Sequence, residues 1–159
     1  DLVLVSGGSS VGTRDLTQRA IEDLATVLVH GIAIKPGRPT LLAHAGEKAL
    51  IGLPGHPVSA LMIYQTLVRP LLYQVAGEID RPPKPRLVAR LTDRVKGPKE
   101  RDGWSSVTLR SSGAGLAAEP LRIDSARMST IVHADGLVYA KRGEILEAGS
   151  EVEVYLFGD

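Results

Sequence analysis

A charged, proline-rich stretch, GEIDRPPKPR at residues 77–86, divides the sequence into two halves with different apolar patterns. Before it, short apolar runs alternate with segments whose apolar residues have helical spacing. After it, apolar residues recur at every second position in short segments separated by Gly, Ser and Asp, a pattern typical of a small β-barrel or sandwich. A proline-rich stretch forms a stiff linker. We therefore expect an α/β domain over residues 1–78, a linker over 79–85 and an all-β domain over 86–159.

The composition excludes several classes of site and partner. The chain has 159 residues and no cysteine, so disulfides and thiolate metal sites are excluded and any metal is held by oxygen or histidine. With 19 basic and 18 acidic residues, it gives no indication of a nucleic-acid or anionic membrane partner. No apolar run is long enough to span a membrane, and no secretory signal is visible, which favours a cytoplasmic protein. The opening DLVLV lacks a Met and has the pattern of a buried strand, so we interpret the chain as part of a longer one.

The first half opens with a strand, a glycine-rich loop and a helix. Apolar residues 2–5 predict a parallel strand covered on both faces, and the spacing over residues 16–28 predicts a helix. Between them, backbone N–H groups and hydroxyls at a helix N-terminus are suited to hold an anion, although a plain turn has the same composition. The candidate residues are Ser6, Gly7, Gly8, Ser10 and Gly12. Asp15 either caps the helix or binds a divalent cation beside a phosphate.

A second strand, loop and helix pattern occurs around GLPGHPVSA, residues 52–60. A strand over 49–53 runs into a Gly/Pro loop, and Pro57 stands at the first position of a helix. That helix, residues 58–75, is apolar nearly all round, so we expect it to be buried, with a kink at Pro70. This second helix start is also suited to an anion.

A basic turn lies between the two loops. The segment IKPGRP places Lys35 and Arg38 around Pro36 and Gly37. It is either a solvated surface turn or a clasp whose prolines reduce the entropy lost on binding an anion. Taken together, the two loops and this turn indicate that the chain binds something large and phosphorylated.

SGGSSVGTRD, IKPGRP and GLPGHPVSA, in this order and spacing, closely resemble the molybdopterin molybdenumtransferases, which include the corresponding domain of gephyrin. The resemblance implies insertion of molybdate into the dithiolene of adenylylated molybdopterin, with release of AMP. It also implies a partial three-layer, molybdopterin-binding α/β domain without its N-terminal part, followed by a small all-β barrel. Because the family forms dimers, it further implies a homodimer for the intact protein.

The resemblance also assigns roles to individual residues. Asp15 and Lys35 are the implied catalytic residues, and Asp15 is also the implied Mg²⁺ ligand. The loop residues Ser6, Gly7, Gly8, Ser10 and Gly12 would hold the pterin or its phosphate. The other implied substrate-binding residues are Arg38, Pro54, Gly55, Pro57, Ser59 and Arg101. His56 replaces the usual asparagine, and Gly31 stands where some members carry a lysine.

Two alternatives stay open from the sequence. The related molybdopterin adenylyltransferases share the α/β domain, but the predicted barrel argues against them because those enzymes lack it. A non-enzymatic, gephyrin-like scaffold is the second alternative, and peptide binding without pterin turnover would favour it. Molybdate and tungstate are tetrahedral dianions of similar size, so the sequence does not distinguish them.

Overall fold

The structure, a computed structural model, describes residues 1–6, 16–78, 85–113, 115–121 and 129–157. The chain forms two compact units, one made of residues 1–32 and 36–81, the other of residues 33–35 and 82–159. The second unit thus includes a three-residue segment from within the first half of the sequence. No helix in the described part of the chain is long and apolar enough to cross a membrane.

A four-stranded sheet forms the centre of the first unit. The first five strands of the chain are β1 (Leu2–Ser6), β2 (Thr26–His30), β3 (Ile34–Lys35), β4 (Leu41–Ala45) and β5 (Lys48–Leu53), and β3 belongs to the second unit. The order in this sheet is β1-β5-β4-β2. β1 and β5 are parallel, whereas β4 is antiparallel to both β5 and β2. This arrangement confirms the expected α/β class, with strands at 2–6 and 48–53 as the sequence predicts.

The first helix is shorter than its apolar spacing suggests. α1 spans Leu16–Leu24, and residues 26–30, predicted to be helical as far as Leu28, form β2 instead. β-branched residues favour an extended backbone, and pairing with β4 gives this segment its backbone hydrogen-bond partners. The helical prediction for residues 26–28 is therefore wrong.

The expectation that β1 is covered on both faces is also wrong for the described chain. Val3 and Leu4 point to opposite faces of the sheet, and they are 43% and 41% exposed. The described elements of this unit leave part of each face of β1 uncovered. The buried cluster of the sheet lies nearer its other edge, where Ile21 of α1 packs with Leu41 and Ala43 of β4.

The long helix after the second loop changes geometry along its length. α2 (Pro57–Ile63) runs into a π-helical turn (Tyr64–Val68) and then into α3 (Arg69–Val75). The irregularity expected at Pro70 takes the form of this widened turn, because proline lacks an N–H and its ring crowds the carbonyl four residues earlier. Val58, Met62, Ile63 and Val68 are fully buried, but no residue of α3 is buried. The prediction of a helix buried along its whole length is therefore wrong for α3.

The second unit is a closed barrel, which confirms one of the two all-β architectures expected from the period-2 segments. Its elements are β6 (Arg86–Leu91), β7 (Val95–Lys96), β8 (Asp102–Ser112), β9 (Gly115–Pro120), α4 (Ser129–Val132), β10 (Gly136–Ala140), β11 (Ile145–Leu146) and β12 (Glu151–Leu156). The sheet order β10-β12-β6-β9-β8 closes on itself because β8 also pairs with β10. Val107, Val138 and Val154 are fully buried at its centre.

Candidate functional site

The two glycine-containing loops begin side by side at one edge of the first sheet. β1 and β5 pair in parallel, with Ser6 opposite Leu53, so the chain leaves both strands at the same level. In open α/β sheets, ligands bind outside the carboxyl ends of the strands. Ser6 is exposed at this edge. The remaining predicted residues of its loop, Gly7, Gly8, Ser10, Gly12 and Asp15, lie outside the described residues.

The loop that follows β5 leads directly into α2. Pro54 is fully buried, whereas Gly55, His56 and Pro57 are exposed. His56 is extended at the helix N-cap, with φ −76° and ψ 125°, and its side chain makes no capping hydrogen bond. Ser59, in the first helical turn, is buried at 6% exposure. The residues that this loop offers to a ligand are therefore those just before the helix.

The basic turn of the first unit has a fixed backbone. Gly37 is buried with φ +131°, in the region that favours glycine. The Thr40 hydroxyl donates to the Gly37 carbonyl at 2.7 Å, and the Ile32 N–H donates to the Arg38 carbonyl at 2.9 Å. The side chain of Arg38 is exposed beyond this turn. The turn thus presents an exposed Arg38 from a hydrogen-bonded backbone, an arrangement that fits both a surface turn and an anion clasp.

Lys35 and Arg101, predicted separately, lie in the same region of the barrel unit. β3 runs parallel to the start of β8, with Ile34 opposite Asp102 and Lys35 opposite Gly103. Arg101 immediately precedes β8, and its side chain is 24% exposed. Two cations from residues 66 positions apart in the sequence (101 − 35) are therefore held at one end of the barrel.

A cleft of about 530 Å³ opens beside this strand pair. It is lined by Ala33 next to β3, by Glu100, Arg101 and Asp102 at the start of β8, and by Tyr139, Lys141 and Arg142 at the end of β10. Lys35 is not in this lining set, although Ala33, the residue before its strand, is. Three cations and two carboxylates thus surround an open cavity.

Each carboxylate oxygen of Asp102 accepts a hydrogen bond from a neighbour. One oxygen accepts a hydrogen bond from the Tyr139 hydroxyl, and the other accepts the Arg142 backbone N–H at 2.9 Å. These two bonds, the Tyr139 bond first, lower the pKa of Asp102 below its ordinary value. The same bond to Asp102 raises the pKa of Tyr139. At neutral pH, Asp102 is ionised and Tyr139 keeps its proton.

The turn after β10 is held in place by several further bonds. The Lys141 N–H donates to a Glu144 carboxylate oxygen at 2.7 Å, and the Gly143 N–H donates to the Pro98 carbonyl at 2.8 Å. The side chains of Lys141 and Arg142 are exposed from this turn. Sequence reasoning missed Asp102, Tyr139, Lys141 and Arg142. The sequence did offer one signal, the Asp that directly follows Arg101. The role of this Asp depends on the pairing of β8 with β10.

Within the described residues, no group of three or more His, Asp or Glu side chains is placed to hold a metal ion. Asp15, the predicted Mg²⁺ ligand, lies outside them.

Two family models match the chain, one in each unit of the sequence. Residues 1–74 match the "Probable molybdopterin binding domain", and residues 88–157 match the "MoeA C-terminal region (domain IV)". These matches define the class: a molybdopterin-binding domain followed by the C-terminal domain of MoeA proteins.

Relatives and solved structures agree with this class. A molybdopterin molybdenumtransferase from Haemophilus influenzae is 40% identical over 96 residues, which is 60% of this chain and 24% of that protein. The enzyme of the same name from Synechococcus elongatus is 28% identical over 156 residues, 96% of this chain and 38% of that protein. The molybdopterin biosynthesis MoeA protein from Pyrococcus horikosii superposes with a TM-score of 0.81 at 38% identity, over 99% of this chain and 37% of that one. The chain therefore carries one domain of each of these two families, in the order given, and it spans well under half the length of these relatives.

Proposed function

We propose that the chain is the molybdopterin-handling part of a molybdopterin molybdenumtransferase in molybdenum cofactor biosynthesis. The reaction would insert molybdate into adenylylated molybdopterin and release AMP. The observation that carries this proposal is the parallel pairing of β1 and β5, which starts both predicted substrate loops at one sheet edge. The names of the matching relatives support the coarser part of this proposal, the transfer of molybdenum to molybdopterin.

In this proposal, the two loops of the first unit hold the pterin and its phosphates. Backbone N–H groups in the Ser6–Gly12 loop, together with Gly55, His56 and the first helical residue, Pro57, would face the anionic substrate. Arg38 would add a positive charge from an ordered turn, so little entropy is lost when it binds phosphate.

Lys35 and Arg101 would bind the molybdate oxyanion and stabilise its negative charge. Molybdate is a dianion, and its oxygens are displaced by the dithiolene sulfurs of the substrate. Fixed cations stabilise negative charge on an oxyanion more effectively than mobile ones, because they need not reorganise during the reaction. The pairing of β3 with β8 fixes the backbone on which both cations stand.

Magnesium, cellular location and assembly stay predictions. A Mg²⁺ ion held by Asp15 would neutralise charge on the leaving phosphate, and the roles argued above for Lys35 and Arg101 do not depend on it. We also propose that the complete protein is a cytoplasmic homodimer, and light scattering of the purified protein would measure the dimer directly.

The test is a molybdenum-insertion assay on the complete protein, supplied with adenylylated molybdopterin and molybdate. We expect AMP to be released together with formation of the molybdenum cofactor. Lys35→Ala and Arg101→Ala should each lower kcat/KM by about 100-fold, as loss of a group that stabilises developing charge does. Arg90→Ala is the matched control, because Arg90 is an exposed barrel cation that pairs with Glu151 at 3.2 Å.

The two alternative functions give different products in the same experiment. An adenylyltransferase would consume ATP and molybdopterin and release pyrophosphate. A scaffold would bind a partner peptide without releasing AMP. Either result, with no molybdenum inserted, would overturn the proposed reaction.

A further inference from the structure

Asp102 joins three separate parts of the barrel unit at the edge of the cleft. Its backbone N–H donates to the Ala33 carbonyl at 3.1 Å, which attaches the segment that contains Lys35. Its carboxylate accepts the Arg142 N–H at 2.9 Å and the Tyr139 hydroxyl, which attaches the turn after β10. One residue therefore connects the segments that carry Lys35, Arg101 and Arg142.

None of the ion pairs formed between described residues involves the carboxylate of Asp102. Both of its oxygens are engaged by a hydroxyl and a backbone N–H. Among the described ion pairs, the partner of Arg101 is Glu100, at 4.0 Å, and the Glu100 side chain is 86% exposed. Ion pairs this exposed and this long contribute little free energy. The guanidinium of Arg101 thus stays available for a ligand.

The ring of Tyr139 is packed against a neighbouring ring, and this packing orients the Tyr139 hydroxyl. Tyr139 lies opposite Trp104 in the β8–β10 register, with ring centroids 5.0 Å apart. Trp104 in turn contacts Tyr155 edge to face at 5.1 Å. Cross-strand aromatic pairs of this kind hold both rings in fixed orientations. The hydrogen bond to Asp102 therefore starts from a donor that is already in place.

We propose that Asp102 and Tyr139 form a positioning pair that fixes Arg101 and the Lys141–Arg142 turn around the cleft, so that these cations present a fixed arrangement to a tetrahedral oxyanion. This inference rests on the proposed function in assigning the oxyanion to the molybdenum-insertion reaction. Asp102 and Tyr139 are positioning residues because they act through the cations and need not touch the ligand.

The test compares two tyrosine variants of the complete protein. Tyr139→Phe removes the hydroxyl that binds Asp102 but keeps the ring against Trp104. Tyr155→Phe is the matched control, because it removes a hydroxyl from the other ring that contacts Trp104 and leaves Asp102 untouched. Asp102→Asn is a second, isosteric variant should Tyr139→Phe fail to fold. Circular dichroism and thermal melting establish that each variant is folded.

The readouts are binding of molybdate and, separately, of inorganic phosphate by titration calorimetry, together with the KM for molybdate and kcat. We expect Tyr139→Phe and Asp102→Asn each to weaken oxyanion binding and raise KM about tenfold, with a smaller change in kcat. Tyr155→Phe should stay within about twofold of the wild type. A preference for molybdate over phosphate in the wild type would identify the oxyanion.

The outcomes separate this inference from the proposed function. If Arg101→Ala loses molybdate binding but folded Tyr139→Phe and Asp102→Asn bind as the wild type does, the positioning pair is wrong and the function stands. If the variants bind weakly as expected but the wild type inserts no molybdenum, the positioning pair stands and the function is wrong. If the wild type binds neither molybdate nor phosphate, the pair has nothing to position and the inference is wrong.

Discussion

Gly37 is buried in the basic turn with φ +131°, a conformation that side chains with a Cβ rarely adopt. We expect Gly37→Ala to lower the free energy of unfolding by about 1–3 kcal/mol, because the turn has to hold alanine in a strained conformation. Urea denaturation measures the loss. Arg38→Ala, which changes the exposed neighbour but not the backbone requirement, should stay within about 0.5 kcal/mol of the wild type. Equal losses in the two variants would contradict the conformational explanation.

The bond between Asp102 and Tyr139 predicts a particular pH dependence of stability. The pKa of Asp102 is below its ordinary 3.8, so its contribution is complete above that value and is lost as pH falls through the lower, folded pKa. The pKa of Tyr139 is above its ordinary 10.0, so its contribution is complete below that value and is lost as pH rises through the higher, folded pKa. The charged groups that also act on the pair are Lys141, Arg142 and Glu144, with Tyr155 next to Tyr139.

The measurement is the difference in free energy of unfolding between wild type and Tyr139→Phe across pH. We expect this difference to be constant from about pH 5 to pH 9 and to shrink on both sides, below the ordinary pKa of aspartate and above that of tyrosine. A difference that changes near pH 7 would show that another group controls it. The same series on Tyr155→Phe supplies the reference, since that hydroxyl has no bond to Asp102.

Residue types were more predictable than the contacts between them. Lys35 stands in a recognisable turn, and Arg101 follows from the family resemblance. Asp102 and Tyr139 are 37 positions apart, and no local pattern connects them. Their bond depends on the β8–β10 register, which sets residues far apart in the chain opposite each other. The site residues that sequence reasoning missed are those whose role depends on this pairing.

At the scale of single elements, local periodicity predicted the wrong conformation where pairing with a distant strand determines it. The segment Thr26–His30 continues the helical spacing of α1, but it becomes a strand because β4 pairs with it. β3 has two residues, too few to show any alternation, and its partner β8 begins 67 residues later (102 − 35). Long segments with strong patterns, such as β5 and the helix from Pro57 to Val75, were predictable because their own residues carry the signal.

Gly97 follows β7 and lies so close to the turn between β10 and β11 that it has no room for a side chain. A Cβ on Gly97 would collide with the backbone carbonyl of Lys141, and the Gly97 N–H donates to the Glu144 carbonyl at 2.8 Å. We expect Gly97→Ala to lower stability by about 1–3 kcal/mol, because backbone cannot move aside as a flexible side chain can. Thermal melting measures the change.

The control for Gly97→Ala is Gly113→Ala in the same barrel, where a Cβ would meet nothing within 4 Å. We expect that control to be neutral or slightly stabilising. The displaced turn should also weaken oxyanion binding, because Lys141 and Arg142 stand on it. Normal stability of Gly97→Ala would show that the backbone at Gly97 and the turn can separate at no cost.

At the scale of the whole molecule, the barrel unit takes Ala33–Lys35 from within the first half of the chain. A fragment of residues 82–159 therefore contains the closed five-stranded ring but lacks β3 and the Ala33 carbonyl that accepts the Asp102 N–H at 3.1 Å. We expect the Asp102 amide to exchange with solvent in that fragment nearly as fast as unstructured backbone, and to be protected in the 159-residue chain. Leu91 is the internal control, since its N–H donates to the Ser150 carbonyl at 2.9 Å within the ring and should be protected in both. Hydrogen exchange followed by NMR distinguishes the two amides. Equal protection of Asp102 in fragment and chain would mean that the start of β8 is ordered without β3, and that the link between the Lys35 segment and Arg101 is dispensable.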